Sequence, residues 1–233
     1  MPDGGRVTDK KSGSAAGLRL KAETTLPTRK AGAFRLLVYG DSADQNVVVA
    51  LIKGRIDPGA PALARLHSQC LTGDVFGSER CDCGEQLDAA LAMIEQAGSG
   101  VLIYMFDEGR GIGLLNKIRA YALQDKGHDT VEANHALGFA ADMRDYKTGA
   151  YILLELGARQ VRLMTNNPDK VRQLEQYGLT VVERIPIEIA PRQSNRDYLR
   201  TKRTKFGHLL SMVGEATEPA SADGAPGKAR PRR

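Results

Sequence analysis

Tryptophan is absent from this chain, and all aromatics together make up 5% of it. That leaves little from which to build a base-stacking platform for single-stranded nucleic acid. No apolar run approaches the roughly 20 residues of a membrane-spanning helix, and no apolar segment near the start reads as a secretion signal. Cysteine is scarce: three in 233 residues, too few for a disulfide framework, so a cytoplasmic protein with reduced thiols is expected. No Gly/Ser-rich linker or internal repeat interrupts the middle of the chain. One folded domain is therefore expected over 17–212. Residues 1–16 and 213–233 have no apolar period and read as a disordered N-terminal segment and a disordered basic tail.

What is present is ordinary globular material, 42% hydrophobic and 26% charged. The net charge of +5 points to an anionic partner. Much of it sits near the C-terminus, in Arg200, Lys202, Arg203 and Lys205 and then Lys228, Arg230, Arg232 and Arg233. A solvated basic end accounts for these better than nucleic-acid binding does.

Alternating or β-branched runs predict strands over 34–40, 46–54, 61–70, 100–106, 159–165 and 179–187. Helical spacing predicts helices over 84–98, 113–127, 132–143, 148–157 and 195–210. A further helix opens at "NNPDK", with Asn as cap and Pro168 in the first turn, and stops at Gly178. The expected class is α/β (or α+β), a single mixed-sheet domain with flanking helices.

All three cysteines fall in "CLTGDVFGSERCDCG" (70–84). The pattern C-x10-C-x-C differs from the paired knuckles of four-ligand zinc ribbons. Three thiolates converging on one point suit a catalytic zinc, which keeps its fourth position for water and lowers the pKa of that water to roughly 7. The competing reading is a closed structural site with His67 as fourth ligand. On a strand over 61–70, however, His67 and Cys70 would point to opposite faces, and His67 would share a polar face with Arg65 and Gln69.

Other stretches are less specific. "DEGRGIG" (107–113) lies between a strand and a helix, where glycines permit close backbone approach and free N–H groups suit an anion. Glu108 is an acceptor fit for an exocyclic amine, and Arg110 suits a phosphate. "TNNPDK" (165–170) offers phosphate or ribose contacts through Thr165 and Lys170, or simply caps a helix. "DMRD" (142–145) reads as a solvated helix end, since residues two apart on a helix do not face each other. Tyr121, one turn beyond Lys117, is either core or a phenol aimed at a site.

Three separated stretches, "RLHSQCLTGDVFGSERCDCGEQL", "EGRGIGLLNKIRAYALQDKGHDTVEANHALGFAADMRDY" and "RLMTNNPDKV", together resemble GTP cyclohydrolase II. The likeness runs in order from about residue 20 to about residue 211. It implies opening of the GTP imidazole ring at C8, loss of formate and release of diphosphate. The product would be 2,5-diamino-6-ribosylamino-4(3H)-pyrimidinone 5′-phosphate, which leads into riboflavin. By the same resemblance Cys70, Cys81 and Cys83 would bind zinc, and Arg65, Leu66, His67, Ser68, Gln69, Gln86, Glu108, Gly109, Arg110, Thr130, Thr165 and Lys170 would contact GTP. Asp142 would be a proton acceptor, Arg144 a nucleophile toward the α-phosphate, and Tyr121 a neighbour of the reacting base. Mg2+ with the triphosphate and a homodimer are implied as well. A guanidinium is a poor nucleophile, so a phosphate clamp is the simpler role for Arg144.

The chain departs from the family pattern in two places. Gln69 stands where Glu is usual, and "MFD" (105–107) replaces His-Arg-Gln ahead of "EGR". Both changes bear on affinity and products and fit a copy serving a secondary pathway. A function of another class, a zinc-stabilised non-catalytic nucleotide- or RNA-binding module, would need a four-coordinate metal and salt-dependent nucleic-acid affinity.

Overall fold

The computed structural model describes residues 17–44 and 46–214. The expectations for 1–16 and for the tail beyond Gly214 lie outside the described residues. The strands are β1 (Arg19–Thr28), β2 (Gly32–Gly40), β3 (Val47–Lys53), β4 (Ala62–Ser68), β5 (Gly100–Met105), β6 (Gln160–Met164) and β7 (Thr180–Ile185). The helices are α1 (Leu71–Asp74), α2 (Cys83–Ala97), α3 (Gly113–Gln124), α4 (Thr130–Ala136), α5 (Lys147–Glu155), α6 (Pro168–Gln176) and α7 (Arg196–Phe206).

One seven-stranded sheet runs in the order β1-β2-β3-β5-β4-β6-β7. Its first four members pair antiparallel, while β5, β4, β6 and β7 run parallel. The mixed α/β sheet with flanking helices is as the sequence leads one to expect. The run "ALARLHS" of β4 is buried almost throughout, as a central strand covered on both faces must be. Ala62, Ala64 and Leu66 pack into one core cluster with Ile152 and Leu153 of α5 and Leu174 of α6. Leu63 joins a second cluster with Leu91 and Ile94 of α2. Arg65 and His67 share Leu63's parity and are buried with it.

Four features correct the sequence reading. Strand β1 was given no signal: its residues are exposed almost throughout, so it has no apolar period, and its place comes from pairing with β2. Strand β4 stops at Ser68, and Cys70 caps the short helix α1, so strand parity does not set the direction of Cys70. The stretch expected as a helix over 132–143 is helical only over Thr130–Ala136. It opens on a reciprocal capping box between Asp129 and Glu132, and ends where Gly138 takes a φ of 81°. Residues 142–145 are consequently not a helix end but an irregular segment. Its Met143 N–H bonds the carbonyl of Arg110, and Gly111 lies so near Met143 that a Cβ there would sit 3.2 Å from the Met143 Cβ.

Candidate active site

At the C-terminal ends of β4, β5 and β6 the chain leaves the sheet in three adjacent loops. This is where ligands bind in open parallel sheets. The loops surround an open cleft. The end of β4 supplies Arg65, His67, Ser68 and Gln69. The loop and helix beyond it supply the three cysteines and Gln86; the turn after β5 supplies Glu108, Gly109 and Arg110. Tyr121, Thr130, Arg144, Thr165 and Lys170 complete the expected set. The side chain of Leu66 is not brought there. It is fully buried on the opposite face, and only its carbonyl reaches toward the site, accepting from Lys170 Nζ at 2.8 Å. Asp142 does not line the cleft either, but stands behind Arg144.

The thiol groups of Cys70, Cys81 and Cys83 lie within 4.8 Å of one another, with 3.6 Å between the Sγ atoms of Cys70 and Cys81. Tetrahedral zinc with Zn–S bonds of about 2.3 Å would hold its sulfurs about 3.8 Å apart, so the donor set fits that ion. A glycine makes the convergence possible. A Cβ on Gly73 would lie 2.9 Å from Cys81 Sγ and 3.2 Å from Cys70 Sγ. Lys117 donates to Cys70 Sγ at 3.1 Å and to Glu108 Oε1 at 2.7 Å. Bonds from the Cys81 and Cys83 thiols, and the nearby Lys117, hold Cys70 far below the usual thiol range, while sharing with Cys70 pushes Cys81 up to about 11. Burial opposes the charge on Lys117, but Glu108 and Cys70 outweigh it and raise its pKa.

His67 is otherwise engaged. Its Nε2 lies 3.1 Å from Asp74 Oδ1, its ring stacks on Tyr104 at 5.5 Å, and burial lowers its pKa. Asp74 also accepts from Tyr104 Oη at 2.7 Å and from the Cys70 N–H at 3.0 Å, which fixes the start of the cysteine loop. Among the described residues the three thiols form the one metal-competent group, and His67 is not part of it. Tyr121 points its phenol to the thiol side, 3.5 Å from Thr72 Oγ1, which is in turn 3.6 Å from Cys70 Sγ.

Glu108, expected to accept from an exocyclic amine, also takes the N–H groups of Leu71 (2.7 Å) and Gly109 (3.1 Å) as well as Lys117. It ties the turn after β5 to the cysteine loop. Asn166 and Asn167 are likewise engaged: Asn166 bonds the backbone of Ile187 in both directions, and Asn167 caps α6. The residue pair read as unfacing is in fact a two-pronged ion pair. With no helix at 142–145, Arg144 Nε reaches Asp142 Oδ1 at 2.9 Å and Nη2 bonds Oδ2. Burial works against charge on both partners, yet Arg144 lowers the pKa of Asp142, and Tyr146 together with Asp142 raises that of Arg144.

In the same cleft, Arg65, Arg110 and Lys170 have no carboxylate ion pair among the described residues. Burial first, and then Arg65 and Arg144, push the pKa of Lys170 well down. Uncompensated cations in a cleft favour a polyanionic ligand. At the two departures, Gln69 lines the cleft, Phe106 is half exposed against Tyr104, and Asp107 Oδ2 accepts from Ser68 Oγ at 3.1 Å. Sequence reasoning missed Gly73, Asp74, Lys117 and Lys202. Only Gly73 carried a signal: a glycine inside a one-turn helix needs a reason such as close approach.

A three-thiol cleft rimmed with cations, on a sheet of this topology, has the donors to hold a metal ion and an anionic ligand. The sequence model described as GTP cyclohydrolase II matches residues 19–186, and the chain belongs to that family. A riboflavin biosynthesis protein RibBA of Bacillus cereus is 58% identical over 192 residues, which is 82% of this chain and 48% of the relative. Proteins of the same name from Bacillus cytotoxicus and Bacillus mycoides are 57% identical over the same length and shares. The chain thus spans about half the length of these curated relatives. Among solved structures, a two-domain 3,4-dihydroxy-2-butanone 4-phosphate synthase, RibBX, from A. baumannii aligns at 19% identity over 74% of this chain and 40% of its own. Its TM-score of 0.41 is too low to bear on the argument.

Proposed function

We propose that this chain is a zinc-dependent GTP cyclohydrolase II that opens the imidazole ring of GTP, releases formate and diphosphate, and so supplies riboflavin synthesis or a related pathway. The observation that carries the reading is that the three-thiol cluster and the cations Arg65, Arg110 and Lys170 line one cleft. The reacting ring and the triphosphate of a nucleotide need those two environments at the two ends of one molecule. Zinc held by Cys70, Cys81 and Cys83 would act as a Lewis acid and make water nucleophilic near neutral pH.

The chain's own residues do the rest. Lys170, Arg65 and Arg110 neutralise the triphosphate, whose negative charge would counter the burial that lowers the Lys170 pKa. Arg144, kept protonated by Asp142, acts as a clamp that stabilises charge developing on the phosphates as diphosphate leaves. A guanidinium held in two prongs by a carboxylate has no free lone pair to attack phosphorus, which favours the clamp over the nucleophile. Tyr121 stands on the thiol side, within reach of the base. Gly109 brings backbone to the cleft wall, while Gly111 lets the same turn pack against Met143. Mg2+ would arrive with the triphosphate. A homodimer is supported by the exposed apolar face of Leu114, Leu115 and Ile118 on α3, and sedimentation of the purified chain checks it. No helix among the described residues is long and apolar enough to cross a membrane.

The test is incubation of zinc-loaded protein with GTP and Mg2+. Formate and diphosphate should appear together, and Cys81→Ser should stop the formate. Intact GTP after prolonged incubation would refute the reading. Diphosphate without formate would replace it with a phosphate-cleaving activity.

A further inference from the structure

Helix α7 lies beyond the residues matched by the family model, which end at 186. Its sequence, "RDYLRTKRTKF", reads as a solvated basic helix. For Arg200 and Lys205 that holds, since both pair at the surface with Asp197 and Asp129. Lys202 behaves differently. It is 9% exposed and lines the cleft, and its Nζ donates to Asp82 Oδ1 at 2.8 Å. Asp82, 1% exposed, stands between two of the three thiol residues and uses its other oxygen to accept from Gln86 Nε2 at 2.6 Å. Gln86 Oε1 in turn accepts from Arg65 Nη2 at 2.7 Å, and Arg65 Nη1 donates to the Met164 carbonyl at 2.9 Å.

Chemistry fixes the direction of this chain. A carboxylate only accepts and a guanidinium only donates, so the amide of Gln86 has one allowed orientation between them. Lys202 sets its ammonium against the buried Asp82 carboxylate, and the two side chains shield one another from the protein interior. At the far end Arg65 lines the cleft, and its Nε is buried without a hydrogen-bond partner. The helix is also fastened over the cleft. The Arg110 guanidinium lies 4.2 Å from the Phe206 ring centre, and the N–H of Leu209 bonds the Asn166 carbonyl at 2.8 Å.

We propose that α7 is part of the nucleotide site, with Lys202 as a positioning residue that sets Gln86 and Arg65 for the substrate through Asp82. The inference rests on the nucleotide reading above and assigns to it a segment that the family match leaves out. The role is positional, because Lys202 acts through Asp82 and Gln86. Removing Lys202 alone would leave a buried carboxylate uncompensated, which is destabilising in itself. The informative variant is therefore the pair Asp82→Asn with Lys202→Met. It leaves no orphan charge, but it replaces the obligate acceptor of Gln86 Nε2 with an amide that can also turn its NH2 toward Gln86, so only Arg65 still orients that side chain.

The experiment measures binding by calorimetry in the zinc-loaded full chain. The probe is a GTP analogue with CH in place of N7 and a CH2 bridge between the α- and β-phosphates, so that neither the ring nor the phosphate chain is cleaved. Zinc per chain and thermal melting are measured in parallel. Lys202→Met and the double variant should each weaken binding by about tenfold, the worth of one lost bond to a charged group. Zinc content should stay at the wild-type level, and Lys202→Arg should recover most of the affinity. A folded, zinc-loaded double variant that binds like wild type would overturn the proposal. So would affinity falling only in step with lost zinc, which would assign the relay to the metal ligands. Failure of both variants to fold would leave Lys202 a stabilising role only and likewise overturn it. If the wild type itself does not bind the analogue, the nucleotide reading fails instead.

Discussion

The two halves of the sheet divide the labour. The antiparallel half, β1 to β3, contributes no residue to the cleft; every lining residue lies at or beyond Arg65. The parallel strands β4, β5 and β6 contribute three loops that leave the same edge side by side. In antiparallel pairs the chain turns back at alternate edges, so consecutive loops do not gather. Parallel strands with helical crossovers put all their C-terminal loops together. Chemistry in this protein therefore collects where strand direction repeats, and the antiparallel half supplies apolar burial and an edge.

This division makes predictions that separate stability from metal and substrate binding. The largest effect on stability is expected from the antiparallel half. Phe34 on β2 is 1% exposed within the second core cluster. Phe34→Ala should cost roughly 3–5 kcal/mol in chemical denaturation, while the zinc affinity of the folded chain stays unchanged. On the parallel side, Gly73→Ala should do the reverse. The added methyl meets two thiols, so zinc affinity measured against a chelating dye should fall about 10- to 100-fold, with little change in the melting of the metal-free chain.

A smaller effect tests Asp107, where the chain departs from its family. Burial pushes its carboxyl up to about 6, against the pull of Arg144 and Ser68. The folded chain then binds more protons than the unfolded one between about pH 4 and pH 6, so stability is lost as pH rises through that window. Asp107→Asn should match wild type near pH 4 and exceed it at pH 7, by on the order of 1–3 kcal/mol. Denaturation midpoints at the two pH values check this, and a difference independent of pH would contradict it. The smallest effect belongs to the exposed edge: Leu20→Thr on β1 should stay within about 0.5 kcal/mol of wild type.

The same division explains what could be read in the sequence. Strand β4, helix α2 and the β6–α6 unit were legible because each buries a periodic apolar face and is bounded by Gly, Pro or Asn. Strand β1 was not legible, because backbone pairing alone places it. The three cysteines announced themselves by scarcity and spacing. The side chains that hold them, Asp74, Lys117 and Lys202, did not. Their roles depend on folding residues 4, 47 and 120 positions away from their partners into contact. The Asp142–Arg144 pair was misread for a related reason, since helical spacing was applied to a segment that is not helical.

The central claim is that three thiols hold zinc and leave its fourth position to water or substrate. X-ray absorption at the zinc edge of the zinc-loaded full chain tests this most directly. The account predicts three sulfur neighbours at about 2.3 Å and one oxygen neighbour, the latter changing when GTP is added. Four protein ligands, whether a fourth sulfur or the imidazole of His67, unaltered by GTP, would contradict it.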